Sequence, residues 1–180
     1  MGLKKLFAVA VAALALATGP AHAAGRSIGQ PIEHKDLVLV VRYVQAVTME
    51  GMNHAGMKME PADAHLEAVI FASKNSKDGF QPGEWIPYLD VTYEVAQEGK
   101  PWTGKGRLTP MLASDGPHYG ANLLLNGPGK YKLKVRVAPP TPDVFPRHTD
   151  KETAAAAWWA PITEDFEFTF VGSTGKKGGY

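Results

Sequence analysis

The chain has 180 residues, with 19 Lys and Arg against 18 Asp and Glu, and it has no cysteine. That length suits one domain with a single real core, and the near-balanced charge argues against a nucleic-acid partner held by phosphate neutralisation. Without disulfides the fold rests on packing alone, and any metal must be held by His, Met and carboxylates.

Lys4 and Lys5, the apolar run over residues 6–18 and the small-x-small Ala21-His22-Ala23 read as a secretory signal peptide over residues 1–23. The run is short for a bilayer and stops at Gly19-Pro20; an uncleaved anchor is the alternative. Cleavage removes two lysines and no acid, which takes the net charge from +1 to −1. An exported chain of this size without cysteine points to a bacterial periplasm.

Residues 24–36 read as an N-terminal leader, and residues 37–171 as the folded domain. The β-branched run over residues 37–47 predicts a long strand. Residues 49–61 follow as a loop in which Met49, Met52, Met57 and Met59 are interleaved with His54, Gly51 and Gly56. Two readings stand for it: capture or hand-over of a soft metal, and a loop that uses Met to pack over the core.

Residues 65–72 predict the next strand. Alternation sets Leu66, Ala68 and Ile70 on one face and His65, Glu67 and Val69 on the other. His65 and Glu67 are then a nitrogen and an oxygen ligand pointing the same way, or a pair on a solvated face. Residues 85–95 predict a strand after a polar turn, and residues 107–113 a short one.

The segment Met111-Leu112-Ala113-Ser114-Asp115-Gly116-Pro117-His118-Tyr119-Gly120 places a thioether and an imidazole on either side of a Ser-Asp-Gly-Pro turn. A reversal there brings Met111 and His118 back to one point. Sulfur with nitrogen suits copper, while imidazole also accepts iron and zinc. The alternative makes Met111 a core filler and His118 a loop residue.

A brief segment over residues 122–125 leads to a strongly alternating strand over 131–137. A proline-rich loop carries Arg147-His148, residues 150–159 predict one short helix because Ala154 to Ala157 favour it, and residues 166–170 predict the last strand. Residues 172–180 read as a polar flexible tail. At least seven short strands with Gly and Pro turns argue for an all-β fold, an antiparallel β-sandwich.

His65 and Glu67, Met111 and His118, and His148 come from separate stretches but share one chemistry. Such a set holds Cu(II) through nitrogen and oxygen, Cu(I) through sulfur, or Fe(II) through carboxylate and imidazole. Ser114, Asp115 and His118 are the residue types of a hydrolytic triad, but they crowd one turn and no Gly-x-Ser-x-Gly elbow is present.

The segments His65-Leu66-Glu67-Ala68, Gly83-Glu84-Trp85-Ile86-Pro87-Tyr88-Leu89, Met111 to Gly120 as spelled above, and Arg147-His148-Thr149-Asp150 resemble those of the periplasmic iron-transport-associated proteins of bacteria. The resemblance runs over residues 37–170. It implies an immunoglobulin-like antiparallel β-sandwich, a homodimer, a copper ion with iron or manganese at or beside it, and work alongside an inner-membrane Ftr-type iron permease. It implies His65, Met111, His118 and His148 as ligands, Glu67 as a secondary or alternate one, and His148 as the one donated across the dimer. The loop around Asn53 to Met59 departs from the family's usual one in being richer in Met and His.

The function these readings predict is a periplasmic metal-binding protein, not an enzyme, that assists high-affinity iron uptake. A copper-dependent oxidase or reductase of iron is the alternative from another class, and a copper-resistance carrier is a third reading.

Overall fold

The computed structural model describes residues 25–50 and 62–173. The signal-peptide reading, most of the Met-bearing loop and nearly all of the tail reading lie outside the described residues. Among the described residues there are nine strands and no helix. They are β1 (Arg26–Ser27), β2 (Ile32–Glu33), β3 (Leu37–Gln45), β4 (Ala64–Ala72), β5 (Asp90–Gln97), β6 (Thr103–Ala113), β7 (Gly116–Leu123), β8 (Gly129–Ala138) and β9 (Ile162–Phe170).

Every pairing is antiparallel, and the strands run β1-β3-β4-β7-β6-β5-β8-β9 with β2 also on β3. The two layers expected of a sandwich are thus one sheet folded on itself. The fold occurs along β6. Its first half pairs with β5 up to Leu108, and its second half pairs with β7 from Thr109. Beyond the hand-over, among the described residues, β6 has a ladder partner on one side only, which is where a strand tolerates the missing N–H of Pro110.

The ends of the folded sheet meet. Tyr43 of β3 lies 5.4 Å from the ring of Phe168 and 6.1 Å from that of Phe170, both on β9. Its hydroxyl donates to the Thr169 carbonyl at 3.0 Å. Between the layers sit Leu37, Leu39, Val41 and Tyr43 of β3, Leu66, Ala68 and Ile70 of β4, and Tyr131, Leu133, Val135 and Val137 of β8. Strand alternation supplies this core: every second residue points inward, and each buried Leu, Ile or Val contributes roughly 1.5–3 kcal/mol.

Several expectations need correction. The leader is part of the fold, because β1 and β2 pair with β3 and Ile28 is buried in the core. The fifth strand starts at Asp90, not Trp85; Trp85 makes a single bridge to Phe71, and Pro87 follows it. The strand after the turn starts at Gly116 and includes Pro117, so the expected four-residue Ser-Asp-Gly-Pro turn is only Ser114-Asp115.

The helix predicted over residues 150–159 does not form. Asp150 accepts from the backbone N–H groups of Glu152 and Thr153, making one turn. The Arg147 guanidinium then takes the carbonyls of Ala155 and Ala156, at 2.8 Å each, and the first of these a helix over 150–159 would have paired with the N–H of Trp159. Tertiary bonds override the helix propensity of the alanines.

Candidate metal centre

The face of the β3-β4-β7-β6 layer turned away from the core carries the expected ligands. Register places them side by side: Arg42 opposite Glu67, Val44 opposite His65, His65 opposite Asn122, Glu67 opposite Gly120, and His118 opposite Met111. Cross-strand partners share a face and stand about 4.5–5.5 Å apart at Cβ. The turn that joins Met111 to His118 is a two-residue hairpin loop, Ser114-Asp115, closed by Ala113 and Gly116, and Gly116 has a φ of 123° that only glycine adopts without strain.

Tyr119 holds this hairpin in place from the other side. It points into the core, fully buried, and stacks on Trp85 at 5.1 Å. Its hydroxyl donates to the Ile86 carbonyl at 2.7 Å and accepts from the Leu89 N–H at 3.0 Å. Desolvation pushes this phenol up to about 12, so it stays a neutral donor. With Tyr119 fixed inward, alternation turns His118 and Gly120 outward.

His65, Glu67 and His118 are all buried, at 1%, 5% and 3% exposure, and each offers a ligand atom within 4.8 Å of the others. The two Nε2 atoms are 3.3 Å apart, with the rings edge to face at 5.6 Å and 82°. The Glu67 Oε1 lies 4.0 Å from the His118 Nε2. Burial holds the His65 pKa below the ordinary imidazole value, outweighing the upward pull of Asn122 and Glu67. His65 therefore stays neutral, the form that binds a metal.

Gly120 makes the approach of the two rings feasible. A Cβ there would lie 2.5 Å from the His65 Nε2 and 3.1 Å from the His118 Cδ2. The imidazoles occupy the place of the missing side chain.

Two residues that the sequence reading did not single out border the cluster. Arg42 donates through Nε to the Glu67 Oε2 and through a terminal nitrogen to the Asp115 Oδ2 at 2.5 Å. The Glu67 Oε1 remains on the side of the histidines. The guanidinium bond also holds the Asp115 carboxyl below the usual range. Asn122 accepts from the His65 Nδ1 at 2.9 Å. Arg42 had one signal in the sequence, as the lone charge in a strand that is otherwise apolar up to Gln45; nothing in the sequence marked Asn122.

The donor set fits a transition metal: two buried imidazole nitrogens, one carboxylate oxygen and the half-buried Met111 on the same face. The His118 Nδ1 supports the fit, being buried without a hydrogen-bond partner among the described residues. His148 stands outside this cluster within one chain. It is exposed, its Nδ1 bonds the Thr153 Oγ1 at 2.8 Å, and it sits 4.0 Å from the Asp150 carboxylate.

Comparison with known proteins gives a consistent picture. The family model described as Fe2+ transport protein matches residues 22–172. The chain is 45% identical over 188 residues to the UPF0423 protein of Brucella abortus (strain 2308), spanning 99% of this chain and 100% of that one. Among solved structures, FetP of uropathogenic Escherichia coli strain F11 superposes with a TM-score of 0.75 at 40% identity, over 83% of this chain and 97% of FetP. That protein was produced in the periplasm of its expression host, and a variant of it has been solved with copper bound. Copper-reconstituted P19 of Campylobacter jejuni gives 0.76 at 36% identity, over 83% of this chain and 98% of P19.

Proposed function

The chain belongs to the Fe2+ transport protein family, and on that premise we propose that it is an exported bacterial copper-binding protein that assists iron uptake. The observation that carries the proposal is the buried His65–Glu67–His118 cluster with Met111 as the direct cross-strand partner of His118. Copper-bound FetP and P19 support copper as the resident ion.

His65, Met111 and His118 would be the primary ligands, and Glu67 would offer a secondary or alternate carboxylate, so that nitrogen-sulfur and nitrogen-oxygen donors stand in one cluster. Copper bound there supplies one-electron redox chemistry beside a site for iron or manganese. The chain's own residues hold the donors ready. Asn122 and Arg42 orient one imidazole and one carboxylate, the hairpin sets Met111 beside His118, and burial keeps His65 unprotonated.

His148, exposed on its loop, completes the ligand set from the partner copy of a homodimer. The protein works in the periplasm with an inner-membrane Ftr-type iron permease. It is a stoichiometric binding protein; a copper-dependent oxidase or reductase of iron is the competing reading.

The test is a Cu(II) titration of the metal-free protein read by electron paramagnetic resonance, beside His118→Ala and Met111→Ala. Tight binding of one ion with nitrogen hyperfine structure, lost in His118→Ala, supports the proposal. Equal weak binding by all three overturns it. Fe(II) oxidation with many turnovers per copper would decide for the enzyme instead.

A further inference from the structure

The two imidazoles of the cluster look equivalent, but their hydrogen-bond partners make them different ligands, and the difference originates at Asn122. The Asn122 side chain pairs with the peptide of Val47 from both ends. The Val47 N–H donates to its Oδ1 at 3.2 Å, and its Nδ2 donates to the Val47 carbonyl at 2.8 Å. Val47 lies two residues past the end of β3, so the amide continues the sheet where the backbone ladder has stopped. Turning the amide over would set donor against donor and acceptor against acceptor, so its orientation is fixed by the backbone.

That fixed Oδ1 is also the partner of the His65 Nδ1 at 2.9 Å. An amide oxygen only accepts, so the proton of neutral His65 sits on Nδ1. Its Nε2 then carries a lone pair aimed at the centre of the cluster, 3.3 Å from the His118 Nε2. In the metal-free protein His118 must be the donor of that pair, with its own proton on Nε2. To offer Nε2 to an ion, His118 moves its proton to Nδ1, a buried atom with no partner among the described residues.

We propose that Asn122 is a positioning residue that presets His65 as the ligand ready before metal arrives, while His118 joins only by changing tautomer. The proposal rests on the metal-binding reading above but makes a separate statement about the metal-free protein. Metal-ligating histidines are commonly oriented through the nitrogen opposite the metal, and losing that partner costs about 10–100-fold in affinity.

The first measurement is the ring-nitrogen NMR pattern of the metal-free protein, which tells an Nδ1–H from an Nε2–H imidazole. Expected is Nδ1–H at His65 and Nε2–H at His118. The second is Cu(II) affinity, by competition with a chromophoric chelator, for wild type, Asn122→Leu and Asn122→Asp. The Leu variant, checked for folding by thermal melting, should bind about 10–100-fold more weakly. The Asp variant keeps an acceptor facing the Nδ1 and should restore most of the loss.

An Nε2–H pattern at His65 in the wild type overturns the proposal without any variant. So does a folded Leu variant that binds like wild type, or an Asp variant as weak as Leu, which would make the role one of packing. A wild type with the expected tautomers but no tight copper would instead overturn the metal reading and leave the assignment of His65 standing.

Discussion

The sheet has two outward faces, one on the β4-β7 layer and one on the β5-β8 layer, and the same alternation produced both. On β8 the outward residues are Lys130, Lys132, Lys134 and Arg136, all exposed, between buried Tyr131, Leu133, Val135 and Val137. On β4 the outward residues at its first half are His65 and Glu67, between buried Leu66 and Ala68, and they are as buried as the core, whereas Val69 and Phe71 farther along the same face are half-buried. The charges on β8 meet strand neighbours such as Asp165, 3.3 Å from Lys134, and remain in water. Those on β4 are enclosed by Arg42, Asn122 and His118 over the space left by Gly120. Alternation decides which way a residue points. Whether that side is wet depends on its cross-strand neighbours.

Substitutions on the two faces should therefore differ sharply, and the largest effect is expected at Gly120. Gly120→Val places a branched side chain where the imidazoles meet; copper binding should be lost in titration, with about 1–3 kcal/mol of stability lost in chemical denaturation. Retained tight binding would mean that the rings do not need this gap. Tyr119→Phe should come next. It leaves the buried Ile86 carbonyl and Leu89 N–H unpaired, costing about 1–3 kcal/mol, while the ligands themselves are untouched. Copper affinity should fall less in this variant than in Gly120→Val.

A smaller effect is expected in acid. His65 has a lowered pKa in the folded protein and about 6.5 unfolded, so below pH 6.5 the unfolded chain takes up a proton that folded His65 refuses. Metal-free stability should fall with decreasing pH through that window, by at most about 1.4 kcal/mol per unit from this group, and show no contribution from it above. His65→Gln should flatten the slope, which denaturant melts at pH 5 and pH 7.5 would reveal. The smallest effect belongs to the wet face. Lys134→Ala should change stability by no more than about 0.5 kcal/mol and copper binding not at all.

The contrast also explains what the sequence made legible. Leu66, Ala68 and Ile70 of β4 and Tyr131 to Val137 of β8 follow a period of two, so strand and face could be read directly. The pairing of Met111 with His118 was legible because a tight turn between two extended stretches leaves few registers. Burial of His65 and Glu67 was not, since a His-x-Glu alternation reads the same on a wet face as on a covered one. Gly116-Pro117 looked like the interior of a loop because both residues interrupt regular structure. Pro117 fits β7 because it lies before Tyr119, where pairing with β4 begins. Arg42 and Asn122 act through partners 25 and 57 residues away in sequence, a relation that no local pattern carries.

The continuity of β6 has a mechanical consequence. One uninterrupted strand serves as an edge partner of β5 over its first half and of β7 over its second, so the two faces share a single covalent spine. A pull on the hairpin that bears Met111 and His118 is transmitted to Leu108 and the ladder of β5 without crossing a loop. Freeing the base of the hairpin at Thr109 loads the adjoining Leu108–Val91 pair, the first of the β5 ladder. The backbone amides of Thr109 and Met111, which face β7, should accordingly exchange with solvent together with those of Val91 and Val95.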